Sequence, residues 1–267
     1  MNLSIVDWFG HPLSPQERMR HIKEAGFSGV MILWADYFDS DYKQFPRYAS
    51  DAGLYVDHAH APYMNANYLW EDSARGQCYE QEISSCIEDC AHYNIPTLVM
   101  HPENKSGNKV VELPADFRFG IDRLKRIVET AERLHVNIAI ENMSRHEFLD
   151  CIFREIQSER LGFCFDSGHW NLFTPEVDLL DLYGDKLMAL HLHDNDGTDD
   201  WHALPSSGNI CWDNIAAKLK ALGYNGALAL EVGNTKFEHI KTPDEFLRLA
   251  VEKALEAYHG SQNRNTG

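Results

Sequence analysis

Short apolar runs alternate along the chain with longer stretches in which apolar residues recur at helical spacing. The short runs are typical of strands that are buried on both faces of a parallel sheet. The longer stretches favour amphipathic helices, and within residues 115–135 the positions Phe117, Ile121, Leu124 and Val128 form one apolar stripe. The pattern predicts eight strands, at residues 3–8, 27–34, 54–60, 97–101, 136–141, 161–165, 187–192 and 226–231.

Residues that favour helix ends bracket several of the longer stretches. Ser14-Pro15-Gln16-Glu17 supplies an N-cap with proline at the first helical position, and Gly26 should end the same helix. Thr242-Pro243-Asp244-Glu245 has the same form and opens the last helix, which should end near His259. The other predicted helices cover residues 41–51, 72–93, 115–135, 145–157 and 212–222, and a short one begins near Pro175.

Strand and helix alternate through the whole chain, with short connections and no break in composition that would mark a linker. This order predicts the α/β class and a single (β/α)8 TIM barrel over residues 1–260. Residues 261–267 are expected to form a disordered tail. A doubly wound open sheet is the alternative, but it lacks a glycine-rich phosphate loop after the first strand.

Charge and composition argue against several classes of function. The 267 residues include 41 acidic and 24 basic ones, for a net charge of −17, whereas a nucleic-acid surface needs clustered lysine and arginine. No apolar run approaches the roughly 20 residues that span a bilayer, and the first residues do not resemble a signal peptide. The six cysteines include no Cys-x-x-Cys pair, so reduced thiols are expected. We therefore expect a cytoplasmic protein that binds neither membranes nor nucleic acid.

Potential metal ligands stand at the ends of six consecutive predicted strands. Neighbouring strands lie about 4.8 Å apart, and a closed barrel directs their carboxyl ends to one mouth. Unpaired carboxylates and imidazoles crowded in that mouth would be costly to bury, and a divalent cation removes this cost. The six residues are His60, His101, Glu141, Asp166, His191 and Glu231.

The ligand types constrain the metal and suggest a chemistry. Glu141, Asp166, His191 and Glu231 form an oxygen-rich set that suits one Mn²⁺, Mg²⁺ or Co²⁺. A cation bound to a hydroxy-ketone acidifies the carbon-bound proton, and Glu141 and Glu231 would then remove and return that proton through an enediolate. Further imidazoles would make the mouth nitrogen-rich and favour Zn²⁺. These are the imidazoles of His60, His101, His169 and His202.

Four short motifs surround these ligands: His60-Ala61-Pro62-Tyr63, Ile140-Glu141-Asn142, Asp166-Ser167-Gly168-His169 and His191-Leu192-His193-Asp194. Together they resemble the xylose-isomerase-like barrel superfamily, which holds sugar isomerases, sugar epimerases and endonuclease IV, and the resemblance covers nearly the whole chain. It implies that Glu141, Asp166, His191 and Glu231 hold one metal and that the two glutamates exchange the proton. It also implies that His169 binds the substrate.

Endonuclease IV, a phosphodiesterase that acts on abasic DNA with three zinc ions, is the alternative within this superfamily. Its usual Asp-Thr-Cys-His reads Asp-Ser-Gly-His at residues 166–169, and no lysine follows the His191 motif. These differences and the acidic charge favour a sugar isomerase or epimerase over a phosphodiesterase. All nine ligand types of that enzyme nevertheless have counterparts here, at His60, His101, Glu141, Asp166, His169, His191, Asp200, His202 and Glu231.

One departure from the epimerases concerns substrate binding. Residues 195–201 contain no arginine, although such epimerases often place one there to hold substrate hydroxyls. A barrel that binds a sugar or a metal without turnover is therefore a third hypothesis. Because Arg145 and Lys105 are the only cations near the predicted mouth, a non-phosphorylated ketose or keto-acid is the preferred substrate. A homo-oligomer is a further hypothesis for this chain.

Overall fold

Eight parallel strands form one sheet within residues 2–105, 107–237, 240 and 242–259, which the computed structural model of the protein describes. The order of the strands in the sheet is β7-β6-β5-β4-β3-β2-β1-β8. The predicted tail at 261–267 lies outside the described residues. The strands are β1 (Leu3–Val6), β2 (Gly29–Leu33), β3 (Tyr55–His60), β4 (Thr97–Met100), β5 (Asn137–Glu141), β6 (Leu161–Asp166), β7 (Leu187–His191) and β8 (Leu228–Leu230).

The two ends of this sheet meet, which closes the barrel. Leu192, directly after β7, forms a parallel bridge with Leu230 of β8. The Leu192 amide donates to the Ala229 carbonyl at 2.8 Å, and the Glu231 amide donates to the Leu192 carbonyl at 3.2 Å. Since β8 also pairs with β1, no strand edge is left open at this seam. The predicted (β/α)8 barrel is confirmed.

Helices follow the strands and cover the outside of the barrel. The N-cap predicted at Ser14 forms, and Glu17 completes a capping box by bonding back to the N-cap residue. At the ends of two long helices, Asn94 and His135 adopt the left-handed conformation, each with φ of 57°, which ends the helix and turns the chain toward the next strand. The helices are α1 (Pro15–Glu24), α2 (Phe45–Asp51), α3 (Ala74–Tyr93), α4 (Arg118–Leu134), α5 (Glu147–Glu155), α6 (Ser167–Phe173), α7 (Leu179–Tyr183), α8 (Trp212–Ala221) and α9 (Pro243–His259).

The short helix predicted to begin near Pro175 begins four residues later, as α7 at Leu179, and α6 before it was not predicted. Helix α6 begins directly after β6, because the Asp166 side chain accepts a hydrogen bond from the His169 amide and caps the helix. This helix ends at Phe173, and the chain forms a helix again only in α7. A capping aspartate at the end of a strand was therefore the stronger signal than the proline.

Small side chains on four neighbouring strands form a narrow apolar layer inside the barrel. Val99, Ala139, Cys164 and Ala189 pack together there and are buried. Side chains two residues further along each strand point to the same face. The apolar layer thus lies directly beneath four of the predicted site residues, which are His101, Glu141, Asp166 and His191. None of the described helices is long and apolar enough to cross a membrane.

Candidate functional site

The six predicted strand-end residues lie together at the mouth of the barrel. His60, Glu141, Asp166 and His191 are the last residues of their strands, and the other two directly follow β4 and β8. Five of them are buried, and the side chain of Glu231 is 13% exposed. Barrel closure therefore brings together groups that are up to 171 residues apart in the chain, between His60 and Glu231.

Four of these residues form a compact set of donor atoms. One atom each from Glu141, Asp166, His191 and Glu231 lies within 4.8 Å of all the others. The Nδ1 atom of His191 is at the centre of the set, 3.0 Å from Glu141 Oε2 and 3.3 Å from Glu231 Oε2. Its distance to Asp166 Oδ2 is 4.0 Å. Three carboxylates thus converge on one imidazole nitrogen.

Two further imidazoles approach the same carboxylate from the side of β3 and β4. The Nε2 atoms of His60 and His101 lie 3.4 and 3.3 Å from Glu141 Oε2. These two nitrogens are 3.1 Å apart. Because the His60 Nδ1 atom lies 2.9 Å from the Ala61 carbonyl, Nδ1 carries the proton in the neutral ring and Nε2 is free to accept a proton or bind a cation.

Several buried polar atoms in this set have no hydrogen-bond partner within the described part of the chain. Both carboxylate oxygens of Glu141 are in this state, as are the Nδ1 atoms of His169 and His191. These atoms lie close to other polar atoms but not in hydrogen-bond geometry. A buried polar group without a hydrogen bond destabilises the folded protein by about 1–3 kcal/mol. A bound divalent cation would satisfy these atoms, so the donor set fits a metal site.

The electrostatics of the mouth keep the carboxylates of Glu141 and Asp166 ionised. Burial alone would raise the pKa of Glu141, but the charges of His191 and His101 outweigh burial and hold it well below the usual range. Burial likewise opposes ionisation of Asp166, yet the imidazole of His169 helps to lower its pKa to about 2. Near neutral pH both groups are therefore in the form that binds a cation and accepts a proton.

His169 has two roles in the local structure. Its backbone amide donates to Asp166 Oδ1 at 2.7 Å, which caps α6. Its ring lies between two carboxylates, with Nδ1 3.0 Å from Glu141 Oε1 and Nε2 3.3 Å from Asp200 Oδ2. Asp166 is thus both a helix cap and part of the donor set, and the cap places the His169 ring over the mouth.

Asp200 and His202 reach the mouth from the long loop after β7. His202 Nε2 lies 3.5 Å from Asp200 Oδ2. The His202 backbone is left-handed, with φ of 46°, which is uncommon for a residue other than glycine. Its Nδ1 atom lies 2.9 Å from the Glu231 carbonyl. Asp200 also has a cationic partner, because Lys105 Nζ lies 2.7 Å from Asp200 Oδ2.

A cavity of about 260 Å³ opens above these groups. Glu141, Glu231, His169 and Lys105 are among the residues that line it. Tyr63 also lines the cavity, and its ring stacks on that of His101 at a centroid distance of 4.8 Å. The cavity therefore joins the donor set to solvent.

Two histidines at the site were not among the predicted site residues. His193 Nε2 lies 3.1 Å from Asp166 Oδ1, and His193, Asp200 and His202 form a second group of possible metal ligands. His58 Nε2 lies 3.0 Å from His191 Nε2. The signal was present in the sequence, because alternate residues of a strand face the same side. His58 and His193 each stand two positions from a predicted ligand.

Gly168 in the first turn of α6 makes room for His193. A Cβ at this position would overlap the His193 imidazole, so Gly168→Ala should lower the free energy of unfolding by about 1–3 kcal/mol, measured by denaturant titration. Gly233→Ala is the control, because the nearest atom to its added Cβ is Thr235 Oγ1 at 3.8 Å. Equal stability of the two variants would show that the His193 ring moves aside without cost.

Sequence comparison places the protein among known barrels. A family model described as xylose isomerase-like TIM barrel matches residues 19–255. The chain belongs to this family. An uncharacterised protein from Methanocaldococcus jannaschii is 30% identical over 214 residues, which are 74% of this chain and 72% of that protein.

Two further proteins are similar to this chain, one in sequence and one in fold. A D-psicose 3-epimerase from Enterocloster bolteae is 26% identical over 170 residues, or 54% of each chain. The solved structure of the IolI protein with a bound zinc atom has a TM-score of 0.79, with 16% identity and full coverage of both chains. The last likeness shows a shared fold.

Proposed function

We propose that the protein is a divalent-metal-dependent sugar isomerase or epimerase that moves a proton on the carbon beside a carbonyl group. The observation that carries this proposal is the pair Glu141 and Glu231, whose carboxylates converge on His191 Nδ1 from two different strands of the barrel. Membership of the xylose isomerase-like family and similarity to a sugar epimerase support the class of enzyme.

Glu141, Asp166, His191 and Glu231 would hold the metal. Three carboxylates and one imidazole are an oxygen-rich set that suits Mn²⁺, Mg²⁺ or Co²⁺, while Zn²⁺ also accepts these ligands. When bound, the cation would polarise the substrate carbonyl and stabilise the charge of the enediolate. The unsatisfied oxygens of Glu141 support a bound cation at this position.

The two glutamates supply the proton transfers. One carboxylate removes the proton from the substrate carbon, and the other returns a proton to the same carbon or to its neighbour. Both line the cavity, so a substrate carbon held there is within reach of either group. Return to the opposite face of the same carbon gives an epimer, and return to the neighbouring carbon gives an isomer.

The cavity favours a small, non-phosphorylated substrate. Its volume of about 260 Å³ is near the lower end for ligand pockets, about 300–1,000 Å³, and suits one sugar unit. Lys105 is paired with Asp200. Arg145 donates to the Val111 carbonyl and to Glu147. Because both nearby cations are engaged, we infer a non-phosphorylated ketose or keto-acid, with His169 bonding a hydroxyl.

The endonuclease IV-like phosphodiesterase remains the second candidate, because a further donor group, His193, Asp200 and His202, lies in the same mouth. This group offers a place for additional zinc. Two observations weigh against it. The Lys105 ammonium lies against Asp200 where a second cation would bind, and the net charge of −17 disfavours a DNA backbone.

Metal content separates these candidates. Elemental analysis of the purified protein should find about one Mn, Mg, Co or Zn per chain, as expected for one four-ligand site. The same preparation should incorporate deuterium from D₂O into one or more members of a panel of ketoses and keto-acids. About three zinc ions per chain together with cleavage of abasic DNA would overturn the proposal. Metal binding without exchange into any sugar would instead support a barrel that only binds.

A further inference from the structure

His58 lies beside His191 in the barrel interior, on the side away from the carboxylates. The His58 ring is buried, 1% exposed. It stacks on the His191 ring at a centroid distance of 5.1 Å and an interplanar angle of 26°. The two Nε2 atoms are 3.0 Å apart, which is a hydrogen-bond distance. One of these nitrogens must donate and the other accept.

A β-bulge in β3 gives His58 a second partner. Val30 of β2 pairs with Val56, and the next residue, Met31, pairs with His58, so Asp57 is the extra residue of the bulge. Successive side chains of a regular strand point to opposite faces. Here the bulge brings Asp57 Oδ2 to 2.9 Å from His58 Nδ1. The irregularity thus places a carboxylate behind an interior histidine.

The hydrogen-bonding capacity of the three groups fixes the position of each proton. A carboxylate only accepts, so His58 Nδ1 carries a proton and donates it to Asp57. The neutral His58 ring then presents Nε2 as an acceptor, and His191 Nε2 must be the donor. In the neutral His191 ring, the form that can bind a metal, Nδ1 is then left without a proton. This is the atom that faces Glu141 and Glu231, and it is buried without a hydrogen-bond partner.

We propose that Asp57 and His58 are positioning residues that hold His191 in the tautomer whose Nδ1 atom binds the metal. This inference rests on the proposed metal-dependent function and deepens it. Histidines that bind metals commonly donate their other N–H to a carboxylate or carbonyl, which fixes the ring and raises its basicity. In this protein a second imidazole is interposed between the ligand and the carboxylate.

The Zn²⁺ affinity of the metal-free protein tests the hydrogen-bonded series Asp57–His58–His191, which we call the relay. Asp57→Ala and His58→Phe should each weaken Zn²⁺ binding by about 10–100-fold in titration calorimetry. Asp57→Asn should recover part of this loss, since its amide oxygen can accept the same hydrogen bond. Glu147→Ala is the control, because it breaks another histidine–carboxylate contact, His146 Nδ1 with Glu147 Oε2 at 3.6 Å, on the surface. Wild-type affinity in Asp57→Ala would overturn the inference.

A second measurement uses the wild-type protein and does not depend on the folding of variants. In ¹⁵N NMR of the Zn²⁺-loaded protein, His191 should carry its proton on Nε2, with coupling across the hydrogen bond to His58 Nε2. A proton on His191 Nδ1 would refute the relay. Neither measurement uses a sugar, so a wrong substrate class leaves both unchanged. A protein that binds no Zn²⁺, Mn²⁺ or Mg²⁺ would refute the proposed function itself.

Discussion

Glu141→Gln should reduce proton exchange between a bound ketose and solvent on the order of 10⁴-fold, the upper end for loss of an acid–base group. Glutamine has the same shape but cannot take a proton, and its neutral amide is a weak ligand for a divalent cation. The Glu141 carboxylate is fully buried and lies within 3.4 Å of nitrogens of His60, His101 and His191. Deuterium uptake from D₂O at saturating Mn²⁺ measures the loss.

Glu103→Gln is the matched control for this experiment. Glu103 is also a fully buried glutamate close to the mouth, but its Oε1 atom accepts a hydrogen bond from the Ser144 amide at 2.8 Å. A glutamine oxygen can accept the same bond, so this variant should keep the wild-type exchange rate. Exchange at the wild-type rate in Glu141→Gln would show that this residue is neither base nor essential ligand.

Glu231→Gln should reduce formation of the product epimer or isomer by about 10³-fold. The reaction needs a group that removes the proton and another that returns it, and only one of the two proton-transferring glutamates remains in this variant. Unlike Glu141, the Glu231 side chain is 13% exposed, so loss of its charge should leave the free energy of unfolding close to that of the wild type. Chromatography of the sugar products and thermal unfolding measure the two quantities.

Metal content distinguishes the two roles of Glu231. With Glu141, Asp166 and His191 intact, the variant should still bind the metal, although less tightly. A Glu231→Gln protein that holds the metal and forms product at the wild-type rate would limit the role of this residue to the structure of the mouth. A protein that loses the metal but recovers full activity with excess Mn²⁺ would identify Glu231 as a ligand only.

The barrel could be predicted because its signals are local. Apolar runs and helix caps act over a few residues, so strands such as 137–141 and helices such as 74–93 lie within a few residues of their predicted limits. Helix α6 was missed because one aspartate serves two purposes. Asp166 both ends a strand and caps the helix that follows it, and the sequence pattern assigned it only to the strand end.

The candidate ligands could be named from the sequence because a closed parallel barrel directs every strand end to one mouth. Their roles stay predictions, but their convergence follows from topology. The partners of Asp200 could not be named in this way. Lys105 and Asp200 come from different loops, and only the folded chain brings their side chains to 2.7 Å. The relay through Asp57 and His58 was equally hidden, because it depends on a bulge that breaks strand alternation.

The order of residues was enough to predict the eight strands, the class of barrel and the residues at the strand ends. These follow from periodicity and from chain topology, which are properties of the order of residues. The folded chain was needed to find helix α6, the donor atoms that converge, the imidazole nitrogen that faces the carboxylates and the cation that pairs with Asp200. Those features depend on distances of a few ångströms between side chains far apart in the chain, and packing alone sets such distances.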